Sequence, residues 1–200
     1  MSDYMVDETS GRATVRYGHV AAFFHWLTLL LVLVQLYLGF TFTDLPKGSP
    51  ERMQTFAWHK TVGATILVLT LIRLAYRLTN PPPPYPREMP EWRRNAAVWS
   101  HRFLYFFLIA LPLTGLVAVS GSGHATTPLV GGVPLPTVPG VTKHGGEVSG
   151  DIHVVLVWTT ITLLVLHVSA ALYEQFAARA GVAYRMPPFQ PRTEESAAIR

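Results

Sequence analysis

Four long apolar runs constrain this chain more than anything else in it. They extend approximately over Val20 to Phe42, Trp58 to Tyr76, Ala97 to Val119 and Ile152 to Phe176, each close to the about 20 residues a helix needs to cross about 30 Å of hydrocarbon. Half of the 200 residues are hydrophobic and only 14% are charged, too apolar for an ordinary soluble domain of this length. In lipid each segment must satisfy its own backbone polar groups, and none of the runs alternates as a barrel strand does. The expected fold is therefore all-α, an integral membrane four-helix bundle. The first run is too long for the apolar core of a signal peptide and lacks a convincing small-residue cleavage site.

Basic residues orient the spans. With four spans the termini share a side, together with the linker between the second and third. To that side fall Arg12, Arg16, Arg73, Arg77, Arg87, Arg93, Arg94, Arg102, Arg179, Arg185, Arg192 and Arg200, against Lys47, Arg52, Lys60 and Lys143 on the other. The positive-inside rule then predicts that both termini are cytoplasmic. The net charge of +4 follows mostly from this topology. The arginines scatter at span ends with no recognition motif, so no nucleic-acid partner is expected.

The connections differ in character. Residues 79–95, TNPPPPYPREMPEWRRN, form a linker whose four consecutive prolines stop the second helix and impose an extended path. Residues 120–150, SGSGHATTPLVGGVPLPTVPGVTKHGGEVSG, are rich in glycine and proline and leave little room for regular structure. Loops this long are uncommon unless functional or disordered, so a cover over an outer site competes with a passive linker. Residues 1–15 and 189–200 read as polar, poorly ordered tails around a membrane domain at 16–188. Cysteine is absent, which excludes disulfides, thiolate ligands, cysteine-held iron–sulfur clusters and covalent haem attachment through CxxCH.

Histidine carries the chemistry. An ionisable side chain within a span is costly and marks a functional hypothesis. His25 lies in the opening turns of span one, towards the cytoplasm, and His59 opens span two on the outer side. His153 begins span four outside, and His167 lies fourteen residues further in. Fourteen residues fall about 40° short of four whole turns and advance about 21 Å, so both rings leave one face of the helix at two depths. Antiparallel threading then sets His59 against His153 in the outer half and His25 against His167 in the inner half.

Two imidazoles facing each other across a helix bundle suit the axial positions of an iron porphyrin, and binding to iron removes the expense of an unpaired imidazole in lipid. Gly63 lies one turn after His59 on the same face and would let a flat macrocycle approach. Gly39 and Gly115 offer the outer site similar room, although close helix packing is the bland reading of each. His101, at the start of span three, reads as a polar or propionate contact. His19, His124 and His144 read as interfacial. Arg73, deepest of the arginines in the last turns of span two, is the best propionate partner, with Arg16, Arg77 and Arg102 as alternatives to set against snorkelling.

Four segments in order, RYGHVAAFFHW, WHKTVGATILVLTLIRLAYR, HRFLYFFLIALPLTGL and DIHVVLVWTTITLLVLHVSAAL, resemble the bacterial cytochrome b561 family of four-helix, di-haem membrane cytochromes, which includes the superoxide oxidases. The resemblance covers roughly residues 16–188. It implies two noncovalent b-type haems, held by His25 with His167 and by His59 with His153, in a bacterial inner-membrane protein that exchanges electrons with quinone. In the superoxide-oxidase branch, superoxide gives up its electron at the periplasmic face and ubiquinone is reduced with protons from the cytoplasm.

Lys60, with Lys47, Arg52 and Lys143, would make the outer face attractive to an anion. Relatives often carry two histidines shortly after the last ligand, whereas this chain has Tyr173, Glu174 and Gln175 there. Glu174, beside Tyr173, is then the candidate proton carrier. A second reading makes the chain a haem-bearing electron-transfer subunit that anchors a hydrogenase, a formate dehydrogenase or a periplasmic c-type cytochrome partner. A third treats the histidines as a proton or metal transport path.

Overall fold

The computed structural model of the chain describes residues 4–7, 14–85, 89–176 and 186. Its fold is all-α. The four principal helices are α1 (His19–Asp44), α2 (Pro50–Thr79), α3 (Glu91–Ser120) and α4 (Lys143–Phe176), all long and apolar enough to cross a membrane. Each reaches beyond its apolar run, because the capping chemistry lies outside the apolar stretch.

Local sequence sets these ends. The Arg52 guanidinium closes the end of α1, donating to Thr43 O at 3.2 Å and to Leu45 O, just past the helix, at 2.7 Å. Gly48 turns the chain at φ +83°. Ser49 then caps α2 by accepting from Arg52 N at 3.1 Å, with Pro50 in the first helical position. Prolines 81–84 stop α2 as expected, but α3 resumes at Glu91, so the last part of the expected linker is helical. Its acidic first residue suits the positive end of the helix dipole. The start of α4 also departs from expectation. Thr142 Oγ1 accepts from Gly145 N at 3.1 Å, and this cap starts the helix at Lys143 rather than near Ile152.

Short strands occur where none were expected. β1 (Tyr4–Asp7) pairs antiparallel with β2 (Thr14–Tyr17), Tyr4 opposite Tyr17, within the segment read as a poorly ordered tail. The tail expected at 189–200 lies outside the described residues. In the long loop, β3 (Thr126–Pro128) pairs with β4 (Pro134–Pro136) around a 3-10 turn at Val130–Gly132. Glycines at positive φ make that tight connection possible: Gly131 and Gly132 both stand at +75°.

The chain forms two compact units. The termini-side unit comprises Met1–Trp26, Arg73–Arg102 and Leu163–Arg200; the loop-side unit comprises Leu27–Ile72 and Phe103–Thr162. Each contains a section of all four helices. In the loop-side unit Tyr37 and Trp158 are more than half exposed, while Thr28, Thr70 and Thr160 are nearly or fully buried. Large apolar side chains outside and hydroxyls within are an arrangement suited to lipid as the solvent. Small residues bring α3 and α4 together here: a Cβ on Gly146 would stand 2.7 Å from Gly121 Cα and 2.9 Å from Ala118 O.

Candidate functional site

The loop-side unit brings the ring of His59 on α2 edge-on to that of His153 on α4. Their ring centroids are 6.4 Å apart and their planes 76° apart. The LPLTG segment of α3 holds His153. Its Nδ1 donates to Leu111 O at 2.9 Å and lies 3.1 Å from Thr114 Oγ1. Gly115 makes room for the ring, since a Cβ there would meet Cε1 at 3.3 Å. A carbonyl can only accept, so in the neutral ring Nδ1 carries the proton and Nε2 presents a lone pair. That is the tautomer a metal ligand needs, with the supporting hydrogen bond typical of ligating histidines.

His59 has a matching cradle on α1. A Cβ on Gly39 would stand 3.2 Å from its Cε1. Gln35 Nε2 lies 3.1 Å from His59 Nε2. The space in front of Gly63 is taken by that same amide, 3.2 Å from a Gly63 Cβ, so Gly63 clears room for Gln35 in this structure. His59 Nδ1 and Gln35 Oε1 are both buried without a hydrogen-bond partner. Gln35 is a residue that sequence reasoning missed. Its signal was present, an amide within an otherwise apolar span.

The separation of this pair suits a porphyrin iron, with the Gln35 amide standing on His59 Nε2 in this structure. Two metal–imidazole bonds of about 2 Å, extended to the ring centres, set the centroids about 6 Å apart, and the observed rings stand at 6.4 Å. Each ring backs onto a glycine of another helix, and buried polar atoms lie unmatched beside them. Among the described residues no group of three or more His, Asp or Glu side chains is arranged to hold a bare metal ion. Two donors are what a planar four-nitrogen ligand leaves for the protein to supply.

The termini-side unit gathers three histidines. His167 Nδ1 is 3.4 Å from Ser100 Oγ, and its ring centroid is 5.3 Å from that of His101, with the planes at 83°. His101 Nδ1 donates to Ala97 O at 2.7 Å. His25 meets Arg73, whose Nη2 is 3.5 Å from its Nδ1, and belongs to the same unit as the other two rings. Arg16, half-buried on β2, belongs to the same unit.

The far end of this unit holds Glu174 and Tyr173. Arg93 joins them, a partner absent from the sequence-based set. Its Nη1 is 3.4 Å from Glu174 Oε1, and its guanidinium lies 5.5 Å from the Tyr173 ring and 5.3 Å from the Trp92 ring. Arg93 Nε and Glu174 Oε2 are buried without hydrogen-bond partners, an arrangement that calls for a reason in a native structure.

In the loop-side unit the expected cations are engaged. Arg52 caps α1, and Lys143 is 3.9 Å from Glu147 across one helical turn. Lys60 Nζ donates to Thr127 Oγ1 at 2.6 Å and sits over the Phe56 ring. Val130 N donates to Thr61 Oγ1 at 3.0 Å, so the β3–β4 loop is anchored on α2 immediately beside His59.

Residues 16–188 match the profile of the prokaryotic cytochrome b561 family. Cytochrome b561 homolog 2 of Escherichia coli (strain K12) is 28% identical over 162 residues, covering 80% of this chain and 85% of the relative. Cytochrome b561 homolog 1 of the same organism is 29% identical over 187 residues, covering 86% and 97%. The probable superoxide oxidase CybB of Yersinia pestis is 27% identical over 167 residues, covering 82% and 91%. With 16–188 matched and four membrane-length helices carrying the facing imidazoles, the chain belongs to the prokaryotic cytochrome b561 family.

Proposed function

We propose that this protein oxidises superoxide at its loop-side face and reduces ubiquinone, using two b haems, with both termini in the cytoplasm. Membership of the family makes it a membrane electron-transfer protein with haem b as its cofactor, and the four spans place it in a bacterial inner membrane as a multi-pass protein. The observation that carries the finer reading is the His59–His153 pair, with ring centroids 6.4 Å apart and each ring against a glycine of a neighbouring helix, Gly39 of α1 and Gly115 of α3. The likeness to a probable superoxide oxidase supports the choice of donor.

Haem b, when bound, supplies reversible one-electron exchange at iron. The residues do the rest. His59 and His153 bind the loop-side haem, and His25 and His167 bind the termini-side haem. Arg73 and Arg16 supply positive charge for propionates. Lys60, next to His59 and held by Thr127, places a cation where an anionic donor would arrive. Two superoxide anions each lose one electron and leave as dioxygen; ubiquinone gains two electrons and two protons and leaves as ubiquinol. Glu174, with Tyr173 beside it, passes those protons, and Arg93 holds the carboxylate in place.

The test is superoxide consumption by the purified, haem-loaded protein with and without ubiquinone. A quinone-dependent rate well above spontaneous dismutation is expected, with a b-type α-band and two haems per chain in the reduced-minus-oxidised spectrum. Two haems without that rate would favour an electron-transfer subunit. No haem at all would leave the histidine-lined transport path.

A further inference from the structure

Helix α3 presents a third histidine, His101, to the termini-side site. The His101 and His167 rings stand 5.3 Å apart with planes at 83°, an edge contact 1.1 Å tighter than the 6.4 Å of His59 and His153, so the two rings would part by about that much to admit iron. One turn of α3 arranges this, since Ser100 meets His167 Nδ1 at 3.4 Å while its neighbour His101 supplies the facing ring.

The hydrogen bonds assign different tautomers to the two possible partners of His167. His101 Nδ1 donates to Ala97 O at 2.7 Å, so the neutral ring has its lone pair on Nε2. In that form it has no second N–H to offer a propionate; what it can do is bind a metal or accept a proton. His25 is set the other way. Arg73 has only donors to offer, so the His25 Nδ1 facing its Nη2 at 3.5 Å is the accepting nitrogen, and the proton lies on Nε2. Ligation through His25 Nε2 therefore requires a tautomer change, whereas His101 is already in the ligating form.

We propose that His101 is an alternative axial ligand for the haem held by His167, able to take the position assigned to His25. The proposal rests on His167 being an axial ligand. The exchange is redox-neutral: one imidazole lone pair leaves iron as another arrives, and no electron is gained or lost by the protein. Its structural consequence is that Arg73 can stay with His25 when His101 binds, and is released towards a propionate when His25 binds.

The experiment uses the full-length protein loaded with haem, read in the oxidised state by electron paramagnetic resonance and near-infrared magnetic circular dichroism, which report axial ligation independently of turnover. Wild type and His101→Ala should both show two low-spin, bis-imidazole haems. His25→Ala should also keep two, because His101 takes the iron, and the double variant His25→Ala/His101→Ala should lose the low-spin signal of one haem. The loop-side haem in each sample reports that the chain is folded; should His25→Ala lose that signal, the volume-conserving His25→Gln is read in its place. A single low-spin haem in a folded His25 variant overturns the proposal, as does a double variant that still shows two. Retention of both low-spin haems in His167→Ala would instead overturn the ligand assignment beneath it.

Discussion

Thr114 touches the one imidazole whose ligating tautomer is fixed from behind in the loop-side site. Thr114→Val keeps the side-chain shape but removes a hydroxyl 3.1 Å from His153 Nδ1, leaving Leu111 O as its only partner. Losing a supporting contact of this kind costs about 10–100-fold in metal affinity, and because the carbonyl remains, the lower end is expected. Haem transfer to an excess of a haem-scavenging protein should show the loop-side haem leaving about tenfold faster and the other unchanged. His153→Ala goes further: it should abolish the loop-side haem and spare the termini-side one, read as one haem per chain. The histidines were legible in the sequence because helical periodicity is fixed, so counting turns gives both face and depth. Their partners were not. Gln35 reaches His59 from another helix, and no spacing within one helix encodes a contact between two.

Helix extents follow the same division. The apolar runs located all four helices, since hydrocarbon thickness is a physical ruler. They missed where α4 begins, because the Gly145–Gly146 pair reads as a helix breaker, each glycine costing about 1 kcal/mol relative to alanine. The structure shows what offsets that cost: Thr142 caps the helix, and Gly146 lets α4 lie directly against the end of α3. Gly146→Ala would set a Cβ 2.7 Å from Gly121 Cα and 2.9 Å from Ala118 O, backbone that cannot step aside as a flexible side chain would. Overpacking of this kind costs about 1–3 kcal/mol, and roughly 2–4 °C of Tm follows each kcal/mol in a chain of this size. Gly150→Ala is the control on the same helix, with Ala118 Cβ at 3.9 Å as its nearest neighbour. A detergent melt should show Gly146→Ala clearly lowered and Gly150→Ala at or above wild type, where the gain in helix propensity acts without a clash.

Sidedness belongs to the whole molecule, and it decides which site meets the donor. Sequence charge predicts cytoplasmic termini by twelve basic residues to four. That bias acts during insertion, so it remains readable even though Arg52, Lys60 and Lys143 are engaged in the folded chain by carbonyls, a hydroxyl and a carboxylate. The chain has no cysteine, so a single introduced thiol reports its own side without background. Ser122 in the loop and Asn95 at the start of α3 are both exposed, and neither touches the histidine sites described above. In intact spheroplasts a membrane-impermeant maleimide should label Ser122→Cys at once and Asn95→Cys only after permeabilisation. The reverse order would move the His59–His153 pair and Lys60 to the cytoplasmic face, where periplasmic superoxide does not reach them, and the donor would have to be sought on the side of Arg93 and Glu174. The expected order places the loop, Lys60 and the paired rings together at the surface where an extracytoplasmic anion arrives. It also leaves the carboxylate of Glu174 at the face from which quinone reduction would draw its protons.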